Sequence, residues 1–215
     1  MAEVKEENKI SLSTIIIVAL LIIVIGGVTI AIPILYTAKS NTGPVDNTTN
    51  TNAPTNYTEN ECTQSFSKTQ VLDYIVNAEP FPYRLFNLIF RPSVIAKSMS
   101  LVFGFRHDTA SWSLDKISVI DTTMLTETIL DGSFESNYLT KNYYQCILSN
   151  TRNSVSDILF DIPYDQDFYY NDQTNVGMTY LIQTLSITGG RYYNITFYLE
   201  NRGYKENAFV ILVGS

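Results

Sequence analysis

Hydrophobic positions follow two different rules along the chain. From Ile10 to Ala38 no residue is charged, and SLSTIIIVALLIIVIGGVTIAIPILY is dominated by Ile, Val and Leu. A helix of about 20 apolar residues crosses the hydrocarbon core of a bilayer, so this run is long enough to span one with some tilt. Gly26, Gly27 and Pro33 would interrupt a water-soluble helix, but membrane helices tolerate them. A cleaved signal peptide has an apolar core of only about 7–15 residues behind a basic lead. Here the core is longer and the lead, MAEVKEENK, has more acids than lysines. The pattern predicts an uncleaved transmembrane helix, a signal-anchor, over residues 10–38.

Farther along, the period changes to two. MSLVFGFR places Met99, Leu101, Phe103 and Phe105 on one face. RYYNITFYLEN places Tyr193, Ile195, Phe197 and Leu199 on one face and Tyr192, Asn194, Thr196 and Tyr198 on the other. Such alternation marks half-buried strands. RLFNLIFR and AFVILVGS are further strands by the same reading, and Thr188-Gly189-Gly190 reads as a hairpin turn between two runs. KTQVLDYIV is the one helical stretch. Many strands, abundant Tyr and Phe, and no βαβ alternation predict an all-β domain, a sandwich or jelly roll. Between the two regimes lies KSNTGPVDNTTNTNAPTNYTENECT, rich in Asn and Thr, which buries too little surface to offset its ordering entropy. The expected organisation is a tail at 1–9, a span at 10–38, a disordered stalk at 39–63 and a β-sandwich at 64–215.

Composition adds orientation and exclusions. Lys5 and Lys9 precede the span and Lys39 follows it, a weak bias toward a cytoplasmic N-terminus. Asn47-Thr-Thr, Asn56-Tyr-Thr and Asn194-Ile-Thr are N-glycosylation triplets, used only in the secretory lumen. Together they predict a single-pass type II protein of the plasma membrane with its C-terminal domain extracellular. Cys62 and Cys146 are the only cysteines, and an oxidising compartment permits one disulfide between them; two unpaired thiols are the alternative. With a single histidine, His107, an ordinary Ser-His-Asp triad or a His-rich metal site is nearly excluded. The net charge of -7 argues against nucleic acid as a partner.

Three segments carry a family resemblance. Trp112-Ser-Leu-Asp-Lys-Ile-Ser-Val119 is similar to the W-x-L-D-D-V-S-V closing strand of galactose-binding-like β-sandwich domains, the group that includes many carbohydrate-binding modules. Leu130-Asp-Gly-Ser-Phe-Glu135 resembles their L-x-N-G-x-F-E opening strand, and residues 180–203 resemble their middle hairpin. The family order is reversed, with the closing segment ahead of the opening one. A circularly permuted jelly roll accounts for this, with Tyr83–Asp121 and Ile129–Ser215 completing each other; a fragment of a tandem array is the alternative. Permutation predicts that the strand at Phe209–Val213 ends close to the start of the strand near Leu85.

The resemblance implies a structural calcium at Glu135 and Asp115, although Lys116 stands where the family usually has a second aspartate ligand. Otherwise these are ordinary solvated charges, and no further cofactor is expected. It also implies sugar binding, which needs flat aromatic faces beside hydrogen-bonding side chains. Tyr164, Asp165, Asp167, Tyr169, Tyr170 and Asp172 form the best local match, with Tyr192 and Tyr198 second and the Arg106-His107-Asp108 segment a polar loop. Asp165 and Asp167 are too close in sequence for the ~5–9.5 Å that glycosidase acids use, so no enzyme is expected. The expected function is a membrane-anchored cell-surface module contacting glycans or glycoproteins in adhesion or recognition. The alternative is a structural or protein-interaction ectodomain with no sugar ligand.

Overall fold

The computed structural model describes residues 57–215 in full and, for the backbone alone, 17–25 and 28–36. The latter are strands β1 (Ile17–Ile25) and β2 (Val28–Tyr36), paired antiparallel with Ile25 opposite Val28. The sequence predicts a helix here; the Ile and Val that make the segment apolar also favour extended backbone. Among the described residues no helix is long and apolar enough to cross a membrane. The tail, the remainder of the expected span, and the stalk as far as residue 56, with Asn47 and Asn56, lie outside the described residues.

Residues 50–215 form a compact unit of their own, an all-β sandwich of two antiparallel sheets. Sheet I runs in the order β4 (Phe81–Phe90), β12 (Tyr193–Asn201), β6 (Trp112–Asp121), β10 (Tyr169–Asn175) and β9 (Asn153–Leu159), with the short β7 (Thr126–Glu127) beside β6. Sheet II runs β3 (Thr69–Val76), β13 (Asn207–Gly214), β5 (Ser98–His107), β11 (Thr179–Ser186) and β8 (Tyr144–Ile147). One helical turn, α1 (Leu139–Asn142), precedes β8. The predicted faces of β5 and β12 meet in the core, where Met99, Leu101, Phe103, Phe105, Tyr193, Ile195, Phe197 and Leu199 are all buried. Phe197 stacks on Phe86 at 5.0 Å and meets Phe103 edge-on at 5.3 Å. Trp112 is fully buried and donates its indole N–H to the Arg106 carbonyl at 2.8 Å.

Sheet II is covered on both faces, which explains why every residue of β13 is buried: a strand with two dry faces reads as a continuous apolar run. Its outer face (Val102, Tyr180, Ile182, Val210 and Leu212) packs in a second cluster with Cys62, Tyr57 and Phe66. These last three belong to a strap, residues 57–66, laid across the sheet. Asn60 Nδ2 donates to the Tyr180 hydroxyl at 2.8 Å, the Tyr57 hydroxyl donates to Thr63 Oγ1 at 2.8 Å, and a disulfide joins Cys62 to Cys146. Residues 57–63, grouped with the stalk by composition, are thus packed against the sandwich. A Cβ on Gly104 would lie 2.6 Å from both Tyr180 and Val210, so glycine lets those side chains close over β5.

Four details differ from expectation. KTQVLDYIV forms β3 rather than a helix. The Thr188–Gly190 turn closes no hairpin, because β11 and β12 belong to different sheets; it carries the chain across the sandwich, with Thr188 N donating to the Tyr193 hydroxyl at 2.8 Å. Leu130–Glu135 is a loop, with Asp131 and Phe134 at left-handed φ of 57° and 60° and Phe134 buried. Lastly, the end of β13 meets the start of β3 and not that of β4. Ser215 O accepts Ser67 N at 2.7 Å, and Ser215 N donates to Lys68 O at 3.1 Å. β4 starts at the other end of the strands, where Phe81 pairs with Asn201. The unforeseen strand β3 occupies the place between them.

Candidate functional site

The tyrosine-rich segment splits in two. Strand β10 begins at Tyr169, and alternation along it sends side chains to opposite faces. Tyr170 enters the core, 5.3 Å from Phe105 and 5.9 Å from Phe134. Its hydroxyl accepts Gln145 Nε2 at 3.0 Å and donates to Asp172 Oδ2 at 3.3 Å. Asp172 is also inside, accepting Ser156 Oγ at 2.5 Å and Thr174 N at 3.1 Å. Burial pushes its carboxyl up to about 7, against the pull of those donors. Tyr169 points the other way yet is equally covered; its hydroxyl donates to Asp161 Oδ1 at 2.5 Å and accepts Arg202 Nη1 at 3.1 Å. Three of the six expected ligand residues are therefore structural in this conformation, because a buried strand starts inside the segment that reads as a loop.

Tyr164, Asp165 and Asp167 stay on a true loop. Tyr164 is 42% exposed and stacks on Tyr198, ring centroids 3.5 Å apart, so it presents at most one face. Asp165 pairs with Lys116 at 3.4 Å, and Asp167 is exposed. The loop is braced by the two carboxylates that the resemblance assigns to calcium. Asp115 Oδ2 accepts Tyr164 N at 2.8 Å and Asp165 N at 2.9 Å, while Oδ1 accepts Lys116 N at 2.6 Å. Glu135 Oε1 accepts Asp167 N at 3.1 Å and Phe168 N at 3.0 Å. Burial raises the Asp115 carboxyl to about 6 despite its three N–H donors. Oxygens engaged this way are poor material for an ion that wants six to eight of them. Among the described residues, no group of three His, Cys, Asp or Glu is placed to hold a metal.

His107 closes β5 inside the domain. Its Nδ1 accepts Ala110 N at 3.0 Å, leaving Nε2 to donate to Asn201 Oδ1 at 2.9 Å. Desolvation lowers its pKa, so it is a neutral structural ring. Arg106 and Asp108 pair with each other at 2.8 Å.

The larger concavity is on sheet II. A groove of about 880 Å³ has Ser100, Ile182 and Thr184 in its floor. One wall is the strap, with Ser65 and Phe66; the other is Thr140–Gln145, with Tyr144 65% exposed on the rim. The Cys62–Cys146 disulfide ties the strap wall to β8, which carries the opposite one. Ser100 Oγ and Thr184 Oγ1 lie 3.1 Å apart, and Asn142 adds an amide, whereas the Gln145 amide is turned inward to Tyr170. Lys141 is the single charged side chain in the lining, which has no carboxylate or imidazole. The groove draws on four separated segments, none conspicuous alone, and of its lining only Cys62 stood out in the sequence.

Asn194 lies on the outward face of β12, on the other sheet from the groove. No protein-family model, curated protein or solved structure matches the chain.

Proposed function

We propose that the chain is a membrane-anchored cell-surface binding module that contacts glycans or glycoproteins through the groove on sheet II. In this reading residues 10–38 hold it in the plasma membrane as a single-pass type II protein, and the sandwich is a galactose-binding-like domain displayed outside. The observation that carries the reading is the groove itself. It has a free tyrosine face beside hydroxyls and the Asn142 amide, the combination that stacks on a sugar's C–H face and reads its hydroxyls. Its rigid walls lower the ordering cost of binding. Binding without turnover is favoured because glycoside hydrolysis uses a pair of carboxylates and the groove lining holds none.

The test is a glycan array probed with residues 50–215. The expected result is binding to a subset of oligosaccharides, reduced about tenfold or more by Tyr144→Ala, a loss of at least 1.4 kcal/mol. Binding that survives Tyr144→Ala but is abolished by Tyr164→Ala would move the site to the sheet I loop. A protein ligand is the second reading, favoured by Val94 and Ile95, 75% and 84% exposed beside each other. An array without any binding, together with a cell-surface protein captured through those residues, would establish that alternative.

A further inference from the structure

The outward face of sheet I carries a cross-strand row in which Asn194 of β12 stands between Ile89 of β4 and Ile120 of β6. Facing residues of paired strands have Cβ atoms about 4.5–5.5 Å apart, so both isoleucines touch whatever the asparagine bears. Ile89 is 70% exposed and Leu85, on the same face of β4, is 53% exposed. Thr196, which completes the acceptor triplet, stands on this face in the next row, between Asn87 and Ser118. β4 is also the edge strand of sheet I, ten residues long. Its one charged residue, Arg84, is exposed but lies over the Phe81 ring at 3.8 Å on the face opposite Leu85 and Ile89, so the aliphatic face carries no charge of its own strand to repel another copy. An aliphatic face beside an open edge is a template for pairing with a second copy.

We propose that an N-linked glycan on Asn194 lies across Ile89 and Ile120 and blocks self-association through the β4 edge. The inference rests on the secretory topology proposed above. The donor is a lipid-pyrophosphate-linked oligosaccharide. Asn194 Nδ2 attacks its anomeric carbon, the N–C bond forms, the C–O bond to pyrophosphate breaks, and the amide nitrogen gives up one proton. The acceptor is modified as the chain enters the lumen, before β12 pairs, so its place in mid-strand is no obstacle. In the folded domain the first sugar ring sets its C–H face on the two isoleucines and its hydroxyls toward water. Sheet I thereby becomes a shielded back, and sheet II with its groove remains the open face.

Residues 50–215 secreted from eukaryotic cells behind a cleavable leader provide the test. Glycopeptide mass spectrometry is expected to find Asn194 occupied, and light scattering to find the protein monomeric. Asn194→Gln and Thr196→Ala, which destroy the triplet at different residues, are expected to self-associate at about tenfold lower concentration. Adding Ile89→Thr to Asn194→Gln restores the monomer. Enzymatic removal of the glycan from folded wild-type protein gives the same comparison without dependence on a variant's folding. An empty Asn194, glycan-free protein that stays monomeric, or failure of Ile89→Thr to rescue overturns the proposal. The leader separates this from the topology: a full chain bare at all three triplets, beside a secreted domain glycosylated at Asn194, supports the shield and refutes the anchor's orientation.

Discussion

Replacing Cys62 and Cys146 together by serine tests how much of the sandwich depends on its strap. The disulfide closes a loop of sequence separation 84, and chain-entropy arguments put such a cross-link at about 4.5 kcal/mol, between ~3 for 15 residues and ~4.7 for 100. Domains of this size are stable by only about 5–15 kcal/mol, so the loss is a large share of the whole. With a urea dependence of roughly 2 kcal/mol per molar, the unfolding midpoint of residues 50–215 is expected to fall by about 2 M. Tyr57 and Phe66 should lose amide-exchange protection at the same time, because only Asn60 and local packing then hold the strap to Tyr180. A midpoint shift below about 0.5 M, some 1 kcal/mol, would refute the reasoning: the unfolded chain would already be constrained, or the strap would melt on its own before the sheets.

Three further outcomes follow from the geometry. Asp172, at about 7 in the fold and near 3.9 unfolded, binds in the native state a proton that the unfolded chain has released. Stability should therefore fall as pH rises from about 4 to 7, and Asp172→Asn should flatten the part above pH 6 in urea titrations; Asp115, raised to about 6, accounts for decline at the lower end. Gly104→Ala sets a Cβ 2.6 Å from Tyr180 and Val210, and should cost about 1–3 kcal/mol by overpacking, read as a lower urea midpoint. Glu135→Ala orphans the Asp167 and Phe168 amides and should cost roughly 1–3 kcal/mol, whereas neither calcium nor a chelator should move the thermal midpoint; a calcium-dependent rise would restore the metal reading.

Where one face of a strand is buried, the sequence is easy to read, as β12 shows: Tyr193, Ile195, Phe197 and Leu199 are every second residue, and all of them reach the core. β3 misled for a definable reason. Val71 faces Leu212 and Asp73 faces Ile211, so Leu72 is the extra residue of a bulge. The bulge sends Leu72 and Ile75 toward the core and Val71 and Tyr74 toward the strap. Pairs of apolar residues three apart are the mark of a helix, and here a bulged strand covered on both sides produces them. The same two-sided burial hid the orientation of β10, where Tyr170 and Asp172 face the interior and Tyr169 a covered exterior. Asp172 looked like a surface acid because Ser156, which donates to it from β9, is brought opposite only by strand pairing. The groove was least legible, since its floor and walls come from four separated segments that meet only in the folded sandwich.

That disulfide also decides how the domain meets a mechanical load. In a tethered chain, tension arrives from the N-terminal side and reaches Cys62 before it reaches β3. There the path forks, and the sulfur bridge diverts part of the pull into β8 on the far edge of sheet II. With the bridge intact, Tyr57 and Asn60 meet the pull first, but Ser65 and Phe66, beyond Cys62, are shielded from it and stay on the sheet. Both walls then strain together, so a ligand held between them is gripped by a frame rather than by a hinge. Reduced, the same tether would strip the strap and draw on the first residues of β3, opening the groove as it did so.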